Sequence, residues 1–158
     1  MKLASWGDSD DPKLRYFSGY AVYEKEIDLP KAGAVLLDLG EVHDIANVSV
    51  NGKFVACLWE PPYRVRLSRD SLVPSASRLH LRIEVVNTWP NRMIGDAVAR
   101  KAGVAEPKKG AYPEWVLADR PDSGTGIFTW SNFDYGWTAA DKPLPAGLLG
   151  PVRLLPDD

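Results

Sequence analysis

The chain has 158 residues, of which 45% are apolar and 25% are charged, and its formal net charge is −2. These values are ordinary for a globular protein, exclude a largely disordered chain and fit one domain over residues 1–158. A net charge so close to zero gives no general attraction to phosphate backbones or anionic membranes, so neither nucleic acid nor a membrane is an expected partner.

Apolar residues recur mostly at every second position, and turn residues separate them at short intervals, which is typical of short antiparallel strands. In chain order the predicted strands are "GYAVYEKEID", "GAVLLDLG", "DIANVSV", "KFVACLW", "YRVRL", "RLHLRIEVV", "GIFTWSNF" and "LLGPVRLL". Asn51 and Gly52 join the third and fourth runs, and Asn-Gly between such runs predicts a hairpin with a type I′ turn. The pattern favours an all-β protein with a jelly-roll β-sandwich fold.

The segment "RLHLRIEVV" shows the alternation most clearly. It places Leu79, Leu81, Ile83 and Val85 on one face and polar side chains on the other, which predicts a strand with one solvated face. The single cysteine, Cys57, cannot form an internal disulfide, and we interpret it as a small apolar side chain within a strand.

The alternation fails from Ala97 to Gly126, where Lys, Pro, Gly and Ala dominate. We therefore predict an irregular excursion over about residues 97–126, with one helical turn in "YPEWVLAD". An irregular segment of this length inside a compact domain is usually functional or mobile.

The stretch "NTWPNRMIGD", from Asn87 to Asp96, concentrates hydrogen-bonding side chains after the clearest strand. In a structural interpretation, Asn87 caps the strand end, and Arg92 forms a buried, charge-assisted pair with Asp96. In a functional interpretation, Trp89 and Arg92 face a ligand. We predict a rigid polar loop at the end of the sandwich, whose tryptophan and arginine also face sugar.

Six tryptophans are more than a sandwich core of this size needs. The face of an indole ring stacks on the apolar C–H face of a sugar, while a tryptophan can equally fill a core and satisfy its N–H with one partner. We expect two ligand-facing rings among the four tryptophans that lie at strand ends or in loops, which are Trp59, Trp89, Trp130 and Trp137. Trp6 and Trp115 are interpreted as packing residues.

Enzymatic activity would rest on carboxylates, because phosphate-binding glycine loops, paired-cysteine metal motifs and nucleophile elbows are absent from the sequence. Glycoside cleavage commonly needs two carboxyl groups at a defined separation, which a sequence does not give. Glu60 and Asp96 are the catalytic candidates, although each also suits a salt bridge or a turn cap.

Four segments, taken in order, resemble a known family: "YFSGYAVYEKEIDLP", "LLDLGEVHDIANVSVNGKFVACLWEPPYRVRL", "LRIEVVNTWPNRMIGD" and "PLPAGLLGPVRLLP". They resemble the C-terminal galactose-binding-like β-sandwich domain of large glycoside hydrolases similar to the family 106 α-L-rhamnosidases. The arrangement is also similar to the sugar-binding domain of glycoside hydrolase family 2. The resemblance runs from about Trp6 to Leu155, and its most specific parts are "VNGK" with "LWEPPYR", "NTWPNRMIGD" and "GLLGPV".

This resemblance implies a jelly-roll fold beside a catalytic barrel, with the catalytic acids in other domains. Such domains often hold a structural calcium ion, and the acidic "GDSDD" is a candidate contributor to its ligands. The implied parent enzyme is periplasmic or secreted. Because "MKLASWGDSDDPK" lacks the apolar stretch of a signal peptide, an export signal would lie outside this chain.

Three hypotheses follow. The first is a carbohydrate-binding, non-catalytic accessory domain of a glycoside hydrolase, the second is a purely structural domain that packs on a catalytic barrel, and the third is a small stand-alone glycosidase that uses loop carboxylates. Under the first hypothesis, the expected sugar-binding residues are Trp59, Glu60, Tyr63, Arg64, Trp89, Asn91, Arg92 and Asp96.

Overall fold

A computed structural model describes residues 2–28, 35–67, 78–104, 129 and 135–156. The chain divides into two compact units. Unit 1 comprises Met1–Ser5, Gly19–Thr88 and Pro145–Asp158, and unit 2 comprises Trp6–Ser18 and Trp89–Leu144. The expectation of a single domain over the whole chain stays a prediction.

Unit 1 contains the strands, of which nine lie in the described residues. They are β1 (Tyr20–Asp28), β2 (Val35–Asp38), β3 (Glu41–His43), β4 (Ile45–Val50), β5 (Lys53–Leu58), β6 (Arg64–Leu67), β7 (Arg78–Val86), β8 (Gly147–Gly150) and β9 (Arg153–Pro156). They form antiparallel sheets with the orders β1-β7-β4-β5, β6-β2-β9 and β3-β8. The predicted all-β sandwich is confirmed.

The core of unit 1 follows from the period-two alternation of its strands. In β7 the predicted inward residues are at most 3% exposed, namely Leu79, Leu81, Ile83 and Val85. Equally buried side chains come from β4 and from the second sheet, namely Ala46, Val48, Val50, Val35, Leu37 and Leu67. Burial of one such aliphatic side chain larger than alanine stabilises the fold by about 1.5–3 kcal/mol.

The predicted Asn-Gly hairpin joins β4 to β5. Asn51 has φ 50° and Gly52 has φ 78°, and a type I′ turn requires positive φ at both central residues. Asn51 also accepts a hydrogen bond from the backbone N–H of His80 through its Oδ1 atom, at 2.9 Å. The hairpin prediction is confirmed, and the turn is tied to the neighbouring strand β7.

Cys57 lies in β5, as expected for a strand residue, but its side chain is exposed. It stands opposite Asn47 on the outward face of the sheet, whereas the neighbouring pair of Val48 and Ala56 lies on the inward face. The strand position predicted for Cys57 is confirmed, and the register of the hairpin turns its side chain outward.

Unit 2 contains the 3₁₀ turn Trp6–Asp8 and two helices, α1 (Pro12–Arg15) and α2 (Pro90–Lys101), in its described residues. Trp6 is only 6% exposed, and its ring meets the Phe17 ring edge to face with centroids 5.5 Å apart. Trp6 is thus the packing residue that the sequence predicted. No helix within the described residues is long and apolar enough to cross a membrane.

Helix α2 corrects two predictions, because "NTWPNRMIGD" is mostly not a loop and the irregular excursion does not begin at Ala97. Pro90 occupies the start of the helix, where its missing N–H is not needed and its fixed φ suits a helix. Ile94 and Val98 recur at helical spacing, and Arg100 and Lys101 lie in the last turn, where cations interact favourably with the helix dipole.

Other predictions fall outside the described residues. These are the remainder of the excursion at residues 105–126, the helical turn in "YPEWVLAD" with Trp115, and the strand "GIFTWSNF" apart from Thr129.

Candidate functional site

Trp59 and Glu60 follow strand β5 in unit 1. The side chain of Trp59 is 66% exposed, and Glu60 is also exposed. A large aromatic ring that remains in water offers a flat apolar surface, and the adjacent carboxylate offers hydrogen-bond acceptors. This pair can contact a ligand without any rearrangement of the core.

Tyr63 and Arg64 both form hydrogen bonds within unit 1. Tyr63 is 9% exposed, and its hydroxyl donates a 2.9 Å hydrogen bond to the carbonyl oxygen of Asp44. Burial raises the pKa of Tyr63, and the negative charge of Asp44 adds to the effect. Arg64 binds Asp38 Oδ2 through Nε at 3.0 Å and through Nη2 at 2.9 Å, while half of its side chain stays exposed.

Asp38 is buried at the end of β2 and uses both carboxylate oxygens. Oδ1 accepts a 2.9 Å hydrogen bond from the backbone N–H of Gly40, and Oδ2 accepts from Arg64. The Gly40 N–H lowers the pKa of Asp38 most, and Arg64 and Arg153 lower it further against the opposing effect of burial. The ionised carboxylate of Asp38 therefore stabilises the turn after β2.

Asn87 closes the end of β7 as the structural interpretation expected. Its Oδ1 atom accepts from the backbone N–H of Gly19 at 2.9 Å, and its own N–H donates to the Gly19 carbonyl at 3.1 Å. Thr88 continues this closure, since its N–H and hydroxyl both donate to Asp44 Oδ2, at 3.1 and 3.0 Å. The cap predicted for Asn87 is confirmed.

Trp89 and Asn91 lie at the start of α2 in unit 2, in contrasting surroundings. Trp89 is 63% exposed, whereas Asn91 is 2% exposed. The Asn91 amide donates to the Leu144 carbonyl at 2.9 Å and accepts from the Leu144 N–H at 2.7 Å. Asn91 thus fastens the segment around Leu144 to the helix, and Trp89 is left in solvent.

Arg92 and Asp96 anchor the same helix. Arg92 donates to the carbonyl oxygen of Tyr16. Burial lowers the pKa of Arg92, while the negative charge of Asp96 acts in the opposite direction. The charge-assisted pair of Arg92 with Asp96 stays a prediction. Asp96 is 0% exposed, and its Oδ2 accepts from the backbone N–H of Thr129 at 2.6 Å and from the Thr129 hydroxyl.

The described residues contain no group of three or more His, Cys, Asp or Glu placed to share a metal ion. Within "GDSDD", Asp11 accepts from the Lys13 N–H at 2.9 Å and caps α1. Asp10 lies 3.6 Å from the Arg15 guanidinium. Asp11 and Asp10 thus have local structural roles, and the structural calcium ion implied by the resemblance stays a prediction.

Two exposed aromatic rings of unit 1 were missed by the sequence reasoning. Tyr20 on β1 is 65% exposed and Phe54 on β5 is 66% exposed. Strand alternation gives the signal for Tyr20, which shares the outward face with Val22 and Glu24. Phe54 faces outward because the register shifts between Val48 and Ser49, which places it opposite Ser49. The predicted site contains only residues that were predicted to lie at strand ends or in loops, whereas Tyr20 and Phe54 lie within strands.

No family model matches the chain. A protein of Formosa agariphila that carries the name β-glucuronidase is 35% identical over an alignment of 165 positions, which covers 97% of this chain and 13% of that protein. A rhamnosidase structure from Novosphingobium sp. PP1Y has a TM-score of 0.70 and 34% identity over 96% of this chain and 12% of that chain. The chain resembles one β-sandwich domain of glycoside hydrolases.

A structure of the β-D-glucuronidase of Dictyoglomus thermophilum is 26% identical over 54% of this chain and 15% of that chain, with a TM-score of 0.46. A score this low defines no shared fold by itself. The rhamnosidase match spans nearly the whole chain and confirms the predicted galactose-binding-like sandwich. The chain spans only 13% and 12% of the length of the first two relatives.

Proposed function

We propose that the chain is a carbohydrate-binding accessory domain of a glycoside hydrolase and is not catalytic by itself. The observation that carries this proposal is the exposed pair at the end of β5, where Trp59 is 66% exposed beside an exposed Glu60. The indole face stacks on the C–H face of a sugar ring, and the carboxylate accepts hydrogen bonds from sugar hydroxyls.

Among the other candidate residues, one offers an exposed ring and the rest make hydrogen bonds within their own unit. Trp89 is a second exposed indole, in unit 2. Tyr63 and Arg64, which are close to Trp59 in sequence, form hydrogen bonds within unit 1 to the Asp44 carbonyl and the Asp38 carboxylate. Asn91, Arg92 and Asp96 anchor helix α2, which begins directly after Trp89. The proposed partners are therefore an oligo- or polysaccharide and the catalytic domain of a larger, periplasmic or secreted enzyme.

Trp59→Ala and Trp89→Ala test the proposal. Each substitution removes an exposed ring, so we expect weaker glycan binding in at least one variant and melting temperatures close to that of the parent chain. A glycan panel read with and without calcium, with a parallel assay for released sugar, is the measurement.

Tyr135→Ala is the matched control, because Tyr135 is also an exposed aromatic residue, at 53%, that the proposal does not use. Parent-like binding by both tryptophan variants would contradict the assignment of the site. Release of sugar by the purified chain would contradict its non-catalytic character.

A purely structural domain that packs on a catalytic barrel is the second candidate. The observation in its favour is that Asn91, Arg92 and Asp96 direct their polar atoms at backbone and side chains of unit 2. Under this hypothesis the chain binds no glycan of the panel, and it associates with a separately expressed catalytic domain instead.

The stand-alone glycosidase hypothesis needs two accessible carboxyl groups. Glu60 is exposed, but Asp96 is fully buried and bonded to Thr129, so a substrate does not reach it in this structure. Turnover that is lost in both Glu60→Gln and Asp96→Asn would be the result in its favour.

A further inference from the structure

The outward face of the four-stranded sheet in unit 1 carries exposed aromatic rings at both edges. Tyr20 lies on edge strand β1 and Phe54 on edge strand β5, and each is about two-thirds exposed, at 65% and 66%. Strands β7 and β4 lie between them. Since neighbouring strands are ~4.8 Å apart, the two rings are separated across the sheet by at least roughly 14 Å.

A hydrogen-bonded polar group occupies the centre of this face. Asn47 Nδ2 donates to Glu84 Oε1 at 3.3 Å, and Arg82 Nη2 donates to Glu84 Oε2 at 3.0 Å. Arg82 Nε also lies 3.7 Å from Glu24 Oε1. The strand register sets Glu84 between Val22 and Asn47, so these side chains are held in fixed positions on a regular sheet.

The apolar part of the face lies at one end. Tyr20, Val86 and Ile45 form a cross-strand row, in which Ile45 is 36% exposed. A protein interface usually has an apolar centre and a polar rim. This face has the reverse order, with a polar centre and aromatic residues at its edges, which fits a ligand that has many hydroxyls and flat apolar faces.

We propose that this outward face binds a neutral oligosaccharide through Tyr20, Phe54 and the polar group between them, and we call these residues the second surface. Tyr20 and Phe54 stack on sugar rings at the two ends, and Asn47, Glu84 and Arg82 bond hydroxyls between them. The inference rests on the proposed carbohydrate-binding function and assigns it a second surface.

The charge of the face selects among glycans. Four carboxylates and two arginines lie on this face, namely Glu24, Glu26, Asp28, Glu84, Arg78 and Arg82, and His80 stands opposite Glu26. A uronic acid on this surface faces a net negative charge, and such repulsion opposes binding at low ionic strength. Neutral sugars therefore bind better than acidic ones.

The test measures binding of the purified chain to neutral rhamnose-, galactose- and xylose-containing oligosaccharides and to uronic acid oligosaccharides. We expect Tyr20→Ala and Phe54→Ala each to weaken binding of a neutral ligand about fivefold to tenfold, as loss of an anchor ring does. Asn47→Ser keeps a small polar side chain and weakens the same ligand less. Tyr135→Ala is the control, and melting curves verify that every variant is folded.

The outcomes separate this inference from the function on which it rests. Loss of binding in Trp59→Ala together with parent-like binding in Tyr20→Ala and Phe54→Ala overturns the second surface and leaves the proposed function standing. The opposite pattern supports the second surface and removes Trp59 from the site. Absence of binding by the parent chain to every glycan overturns both. Self-association that Tyr20→Ala abolishes overturns the second surface alone, since a second copy then covers the face. Preference for uronic acids overturns the charge selection.

Discussion

Asp38 shows how a single buried carboxylate can organise part of a sheet. It binds the Gly40 N–H through one oxygen and the Arg64 guanidinium through the other. Gly40 itself has φ +68°, and a Cβ at this position would lie 2.4 Å from the carbonyl carbon of Gly150. The turn after β2 therefore needs both the glycine and the ionised aspartate.

Asp38→Asn should lower the free energy of unfolding at pH 7 by about 1–2 kcal/mol, because charge-assisted hydrogen bonds are replaced by weaker neutral ones. The folded-state pKa of Asp38 lies below its ordinary value of 3.8. Its contribution is thus complete above pH 3.8 and is lost as the pH falls through the folded-state value. Urea denaturation of both proteins at pH 7 and near pH 3 measures the difference, which should shrink in acid.

Asp28→Asn provides the matched control, since Asp28 also binds an arginine, Arg78, at 3.1 Å, but its side chain is 84% exposed. Exposed pairs contribute little, so this variant should unfold almost as the parent does. A deficit in Asp38→Asn that stays constant between pH 7 and pH 3 would refute the ionised role of the carboxylate.

The packing of helix α2 reverses the usual effect of replacing a helical glycine by alanine. Ala is a better helix former than Gly by about 1 kcal/mol. At Gly95, however, a Cβ would lie 2.5 Å from Cβ and 2.7 Å from Cγ of Tyr16. The close approach of helix and tyrosine leaves no room for a methyl group.

Gly95→Ala should therefore lower the free energy of unfolding by about 1–3 kcal/mol in spite of its better helix propensity. Thermal melting followed by circular dichroism measures it. Ala97→Gly, two residues further on, gives the effect of propensity alone, about 1 kcal/mol. An unchanged or higher melting temperature in Gly95→Ala would show that Tyr16 moves aside easily.

The elements that the sequence predicted are those whose cause is local. The Asn-Gly turn needs only the φ preferences of two residues, and β7 needs only its own alternation. Helix α2 escaped prediction because Pro90 and Gly95 resemble turn residues and because its buried face contains Asn91 and Asp96. Those polar side chains are satisfied by residues distant in sequence, which a local pattern does not reveal.

The same limit applies to the candidate site at the scale of the whole molecule. Residue type and position were enough to predict the exposed members of the site, which are Trp59, Glu60 and Trp89. The partners of Asn91 and Arg92, which are Leu144 and Tyr16, lie far away in the chain. Sequence reasoning thus identified the polar residues and left open whether each one faces a ligand or holds the backbone.

Removal of residues 145–158 should abolish cooperative unfolding of unit 1. The deleted segment contains β8 and β9, so β3 and one side of β2 lose their partners. Chemical denaturation followed by circular dichroism is the measurement. Addition of a synthetic peptide of residues 145–158 is the control and should restore part of the structure. A truncated chain that unfolds with the parent midpoint would show that these strands are dispensable.

The pairing of β2 with β9 also bears on how the protein emerges from the ribosome. Strand β2 begins at Val35 and pairs with Arg153–Pro156, and the hydroxyl of Ser5 binds the N–H of Ala146, a partner 141 residues later. Translation proceeds from the N-terminus, and domains generally fold as units during synthesis. Strand β2 must therefore wait for its last neighbour while the residues between Asp38 and Arg153 are made. During that interval the nascent chain exposes a pairing edge of β2, and an open strand edge can pair with another chain.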